Sequence, residues 1–205
     1  MTRIPLVLLL SLCAVAARAQ HHQHQHPAAA AAPATATRPA ASKPSARAFV
    51  VPDVEVQTQS GESRRFYRDL VQGRVVAMNF VFTSCTTICP TMGATFARVQ
   101  KMLATRGSNA ALISVSIDPA TDTPARLTAW SQRLGARPGW TLVTGNRTDI
   151  DQLLKALGLF AADPAAHTPV VLVANEPEGR WERVDGLATP TAIVEAITRM
   201  ERKVR

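Results

Sequence analysis

Two cysteines, Cys85 and Cys89, close the stretch NFVFTSCTTICP and stand directly before Pro90. Three residues separate them, not the two of the common dithiol motif. Thiols placed this way can exchange electrons with a disulfide, hold a metal ion, or staple a loop. The chain has three cysteines. The third, Cys13, falls in an apolar N-terminal run that reads as a leader, so no other thiol remains to pair with Cys85 or Cys89. A disulfide across so short a loop removes little chain entropy, and a domain of this size does not depend on one. Reactive chemistry is the better reading of the pair, by exchange or by coordination.

Pro90 disfavours the helical region for Cys89, so a helix is expected to open at Pro90 or to be irregular just before it. The cysteines would then crown a helix N-terminus, where free N–H groups and the helix dipole stabilise thiolate. A lowered thiol pKa serves exchange and metal binding alike. A third residue separates the two. The segment from residue 49 onward contains one histidine, His167, in AAHTPVVLV. A lone histidine is ordinarily structural or simply exposed. This one lies on a loop of small residues, where nothing apolar calls for an imidazole. Two thiolates and one imidazole form a soft, low-coordinate set that suits Cu(I) in a trigonal site, or Cu(II) with an added oxygen. Structural zinc would want a fourth cysteine or histidine. A weaker auxiliary set is His21, His22, His24 and His26 in QHHQHQH, able to hold Cu(II), zinc or nickel loosely.

The elements that must position these groups follow from the chain's patterning. Arg3, the apolar run from Ile4 to Ala17 and the small-x-small Ala17-Arg18-Ala19 read as a secretory signal peptide over residues 1–19. The alternative is retention as a short membrane anchor. Lipidation of Cys13 is disfavoured by the bulky Leu12 before it. Residues 20–48 are histidine-rich, then carry eleven alanines and four prolines over 27–48 with almost nothing large and apolar, so they read as a disordered linker. The domain spans 49–205. VPDVEVQT alternates and GESRRF turns back, predicting an N-terminal hairpin within 50–67. RVVAMNFVF, ALISVSI, residues 140–144 and TPVVLVAN read as buried strands. Met92, Phe96, Val99 and Leu103 recur at helical spacing, as do Leu127, Trp130 and Leu134 after Pro124. Thr148 and Asp151 resemble a capping box before Ile150, Leu153, Leu154 and Leu157. RWERVDG pairs back after EPEG, and Ile193, Ile197, Met200 and Val204 mark a closing helix.

Strands alternating with helices predict an α/β fold, with a central, largely parallel sheet between helices and an antiparallel edge from the last hairpin. Reactive groups in such folds gather at the carboxyl ends of strands, where Cys85 falls. His167 would join it if its strand lay beside the first long strand.

The net charge is +8, or +6 without Arg3 and Arg18. A basic exported protein can dock on an acidic protein face or an anionic membrane, although a solvated surface needs no partner. No basic stripe interleaved with aromatics is present, and an exported protein meets little nucleic acid, so nucleic-acid binding is not expected.

NFVFTSCTTICP, SIDPATDTPARL and HTPVVLV, in that order, resemble the Sco/SenC family of copper-binding proteins with a thioredoxin fold. The resemblance runs over about residues 50–200. It implies a thioredoxin-like three-layer fold with a central mixed sheet flanked by helices. It also implies a metallochaperone acting outside the cytoplasmic membrane, in the periplasm or anchored to the inner membrane. The implied recipient is the copper-receiving subunit of cytochrome c oxidase, or another exported copper protein. Some members act instead as thiol–disulfide reductases, with Cys85 attacking and Cys89 resolving. The family's copper ligands fall on Cys85, Cys89 and His167. Asp118 and Asp122 fall in the D-P-x-x-D-T-P loop, where capping of the next helix and fixing of a turn are the expected roles. The chain departs from the family pattern at Ala166, where an acidic residue commonly precedes the histidine and would orient its ring, and in VVLVAN, which lacks the usual tyrosine and aspartate. Pro169 enters the strand where thioredoxin-like enzymes often carry a cis-proline, which leaves Thr168–Pro169 equally open to cis and trans.

Overall fold

The structure, a computed structural model, describes residues 49–203. The leader, the histidine-rich stretch and the linker assigned to residues 1–48, with Val204, lie outside the described residues.

The N-terminal hairpin forms from β1 (Glu55–Thr58) and β2 (Ser63–Arg65). The chain does not continue as strand through Phe66. Residues Phe66–Val71 make one wide helical turn that buries Phe66, Leu70 and Val71. That spacing of apolar side chains fits one face of a helix and would straddle both faces of a strand. Asp53 fastens the turn by accepting from the Arg68 N–H at 3.0 Å. The remaining elements follow in the expected order: β3 (Val75–Val81), α1 (Ile88–Thr105), β4 (Ala111–Ser116), α2 (Pro124–Leu134), β5 (Trp140–Thr144), α3 (Arg147–Ala156), β6 (Val170–Asn175), β7 (Arg180–Asp185) and α4 (Pro190–Glu201).

They form one seven-stranded sheet in the order β2-β1-β5-β4-β3-β6-β7. Only β3, β4 and β5 run parallel; β1 pairs antiparallel with β5, and β6 with β3. The sheet is therefore mixed rather than largely parallel. The cause is the connection over residues 157–169. Helix α3 returns the chain to the end of the sheet where β3 begins, and this connection climbs to the other end before β6 starts. Had β6 been parallel to β3, His167 would lie a full strand length from the cysteines. The antiparallel register, Asn79 opposite Val171 and Met78 opposite Leu172, instead places Pro169 level with Val81 and Thr168 level with Phe82.

Alternate residues of each inner strand fill two cores. Val76, Met78 and Phe80 face α3 and the turn at 66–71, while Ala77 and Val81 face α1, α2 and α4. The expected apolar positions are buried, among them Met92, Phe96, Val99, Leu103, Leu127 and Ile150. Each such side chain contributes about 1.5–3 kcal/mol relative to exposure. The Thr168–Pro169 bond is trans, as are all peptide bonds among the described residues. His167 is already extended at φ −66° and ψ 145°, so a trans proline enters β6 without a reversal.

The four α-helices of the described residues all start at the end of the sheet where β3 and β4 finish, here called the rim, and end at the opposite base. Three have oxygen caps. Thr123 accepts from the Arg126 N–H, Asn146 from Asp149, and Thr189 from Ala192. The cap of α3 is thus Asn146 with Asp149, two residues before the expected Thr148 and Asp151. An Asx cap outcompetes a threonine already inside the first turn. Among the described residues no helix is long and apolar enough to cross a membrane.

Candidate functional site

Of the four α-helices among the described residues, α1 alone has no oxygen cap. It opens at Ile88, two residues before Pro90, and its cap residue Thr87 (φ −104°, ψ −84°) makes no side-chain cap bond. Pro90 is tolerated because it lies in the first turn, where an N–H has no intrahelical acceptor anyway. The free N–H of Cys89 donates instead to the Cys85 sulfur at 3.4 Å. The Thr87 hydroxyl lies 3.6 Å from the same sulfur. A sulfur thus occupies the place that an oxygen takes in the other three helices.

The two thiols differ for physical reasons. Burial works against the Cys85 thiolate, but the Cys89 backbone N–H, the Cys89 thiol and Thr87 outweigh it, and its pKa falls from 9.0 to about 7. Cys89 is fully buried. Burial drives its thiol up to about 12; the Phe82 backbone opposes this, and the Cys85 sulfur and the Asp122 carboxylate add to it. Both cysteines are free. The pair is therefore one accessible thiolate above a buried thiol.

The loop carrying Cys85 is fixed from beneath. Asp122, almost fully buried, accepts from the Thr83 N–H at 3.1 Å, the Thr83 hydroxyl at 2.5 Å and the Ser116 hydroxyl at 2.7 Å. Arg126 also donates to the Thr83 hydroxyl at 3.2 Å, and the Cys85 N–H donates to the Phe82 carbonyl at 3.2 Å. Asp122 does not cap α2; Thr123 does. Asp118 takes part in the turn through its backbone, its carbonyl accepting from the N–H groups of Thr121 and Asp122, and its carboxylate makes no hydrogen bond among the described residues. The D-P-x-x-D-T-P spacing pointed to Asp122, but its partner Thr83 lies 39 positions earlier, and local spacing carries no signal for it.

His167 is on the same rim. Its ring is buried and meets Phe82, which opens the cysteine loop, edge-on at 6.0 Å between centroids. Its Nδ1 lies 2.8 Å from the Pro164 carbonyl. A carbonyl only accepts, so Nδ1 carries the proton, and in the neutral ring Nε2 carries the lone pair. Nε2 is buried without a hydrogen-bond partner among the described residues. A ring held through one nitrogen by a backbone carbonyl, with the other nitrogen free, is the arrangement of a metal-ligating histidine. The Pro164 carbonyl does the orienting that an acidic residue at position 166 would otherwise do. Asp163 holds the turn that presents it, accepting from the Ala165 N–H at 2.9 Å. Among the described residues no three His, Cys, Asp or Glu side chains stand close enough together, as they are, to hold a metal ion. His21, His22, His24 and His26 lie outside the described residues.

Known proteins resemble this chain in sequence and in fold. The sequence pattern of the SCO1/SenC family matches residues 43–201. A putative copper-binding protein of Stutzerimonas stutzeri is 33% identical over 114 residues, 55% of this chain and 54% of that protein. The chain spans about half to three fifths of the length of the curated relatives it matches. A SCO1/SenC family lipoprotein from Bacillus anthracis superposes with a TM-score of 0.69 at 25% identity, over 80% of this chain and all of that one. BsSco, described as a Sco-family cytochrome c oxidase assembly protein with a disulfide switch, superposes at 0.64 with 24% identity, over 74% of this chain and 93% of that one. The fold is the thioredoxin-like α/β arrangement of these proteins.

Proposed function

Since this chain belongs to the SCO1/SenC family, we propose that it is an exported copper metallochaperone whose cargo is held by Cys85, Cys89 and His167. The recipient in this reading is the copper-receiving subunit of cytochrome c oxidase, or another exported copper protein. Relatives described as copper-binding or as oxidase assembly proteins support it. The leader pattern, with a relative described as a lipoprotein, supports action outside the cytoplasm, free or tethered to the inner membrane.

The observation that carries this reading is the buried, unpartnered Nε2 of His167, whose ring packs on Phe82 at the start of the cysteine loop. Cys85 is about half thiolate at neutral pH, and Cys89 gives up its proton when the cargo binds. His167 completes the set when the connection over residues 160–168 carries its ring toward the sulfurs. Among the described residues the hydrogen bonds of that connection are internal to it, such as Ala166 to Asp163 and His167 to Pro164, so the movement breaks none to the rest of the fold. Two thiolates with one neutral imidazole favour Cu(I), and Cu(II) with an added oxygen. Transfer proceeds by ligand exchange, each new bond from the recipient releasing one of the three. The four histidines at 21–26 serve as a loose collector of Cu(II).

The split between the thiols favours a second reading, an exported thiol–disulfide oxidoreductase. The Cys85 thiolate attacks a target disulfide and releases one target thiolate. Cys89 then attacks Cys85 and releases the other, leaving a Cys85–Cys89 disulfide and one reduced target. One variant separates the readings. In His167→Ala, the copper affinity of the reduced protein should fall by at least tenfold while the rate of dithiol exchange stays within twofold. Unchanged copper affinity sinks the metallochaperone reading. A collapse of exchange with copper binding intact would make the imidazole part of thiol chemistry instead.

A further inference from the structure

Charge is distributed unevenly between the two ends of the sheet. At the rim stand Asp53, Glu55, Asp118, Asp122, Asp149, Asp163 and Asp185 against Arg65, Arg68, Arg126 and Arg147. The base carries Glu62, Glu176, Glu178 and Glu201 but more cations than acids. Lys101, Arg106, Arg133, Arg137, Arg202 and Lys203 are all exposed there, and none of their side chains forms a salt bridge among the described residues. These residues make one surface because the helix ends meet. Gln100 of α1 donates to the Arg137 carbonyl at 2.8 Å and accepts its N–H at 3.0 Å. Ser108, just past α1, donates to Glu201 at the end of α4. A cation in the last turn of a helix is ordinary, since it offsets the dipole. Arg137 and Lys203 lie beyond any helix end, however, and the cluster exceeds one cation per helix.

We infer that the basic base of the domain is a docking surface for anionic lipid headgroups, and that docking there holds the thiol rim away from the membrane. A specific protein partner needs buried apolar or aromatic anchors amid the charges. The exposed large apolar residues of the described chain are Val50, Phe160 and Leu187, and none belongs to this cluster. Headgroup attraction needs only closely spaced Lys and Arg near the surface. The base meets that requirement and lacks what a protein interface would add.

Full-length protein is titrated with vesicles of phosphatidylcholine alone and of phosphatidylcholine with phosphatidylglycerol. The difference between the two cancels any insertion by the apolar N-terminus. The anionic vesicles should bind at least tenfold more tightly at low salt, and the difference should vanish at high salt. Arg106→Glu with Arg137→Glu should remove it. Arg64→Glu with Arg147→Glu, an equal change of charge placed elsewhere, should leave most of it. Should the base pair of reversals disturb folding by thermal melt, Arg106→Gln with Arg137→Gln takes its place. Loss on the control reversals but not on the base reversals overturns the inference. So does equal binding to both vesicles with salt-sensitive capture of polyglutamate, which would assign the base to an acidic protein. In a Cys13→Ser background, the reaction of Cys85 with an uncharged water-soluble disulfide should stay within twofold when anionic vesicles are added. A tenfold slowing would put the rim on the membrane and overturn the orientation.

Discussion

The loop that carries Cys85 and the connection that carries His167 lie on the same rim and are held in opposite ways. The first is tied to distant parts of the chain. Asp122 bonds Thr83 and Ser116, Arg126 bonds Thr83, and the sulfur itself takes an N–H of α1. The second is tied to itself, through Asp163 to Ala165 and Pro164 to His167, with Pro169 fastened to Gly186 where β6 begins. Long-range bonds fix a group in the frame of the fold. Local bonds fix a ring within its own loop and leave the loop free to take another place. In the proposed reading the thiols are thus prepared for cargo before it arrives, and the imidazole is prepared in orientation but not in position.

The largest expected effect separates the two thiols of the first loop. Alkylation of Cys85 should rise with pH around a midpoint near 7, about tenfold from pH 6 to pH 8, while Cys89 stays inert; reaction at both, or a midpoint near 9, would erase the distinction. The linked stability has a fixed sign. Folding lowers the Cys85 pKa, so its contribution is complete above 9.0 and fades as the pH falls through 7. Copper uptake by the reduced protein should release about one proton near pH 8 and about two near pH 6, in the proposed reading.

Asp122→Ala comes next. It strands Thr83 and Ser116 and should cost about 3 kcal/mol in urea unfolding. His167→Ala, by contrast, removes one hydrogen bond and should cost only about 1 kcal/mol. Equal costs would mean that the two loops are held alike. Gly186→Ala is smaller than the first. A methyl group there would stand 2.7 Å from the Pro169 carbonyl carbon and the Val170 nitrogen, so the start of β6 must shift, at about 1–3 kcal/mol. It should weaken copper binding without changing the Cys85 alkylation profile. Asp163→Ala is the smallest, about 1 kcal/mol or less for a lost cap, and it should soften the orientation of His167 alone.

Much of this fold was legible in the sequence, because unbroken apolar runs and helical spacing report burial directly. The order of strands in the sheet was not. The direction of β6 depends on how far residues 157–169 travel, and no residue type encodes that distance. The cysteine pair was legible from type and spacing, and the lone histidine from its bare loop. The work of Asp122 was misjudged because a D-T-P sequence reads as a cap, and its true partner is far away in the chain. The missing acidic residue at 166 looked like a loss of ring orientation. A backbone carbonyl, which every residue carries and no sequence pattern marks, supplies it from Pro164.

The most direct test is X-ray absorption on the copper-loaded reduced chain with His21, His22, His24 and His26 replaced by glutamine. Two sulfur ligands and one imidazole nitrogen are expected, with the imidazole scattering lost on adding His167→Ala. Coordination by sulfur alone, or an imidazole signal that survives the loss of His167, would contradict the proposed ligand set.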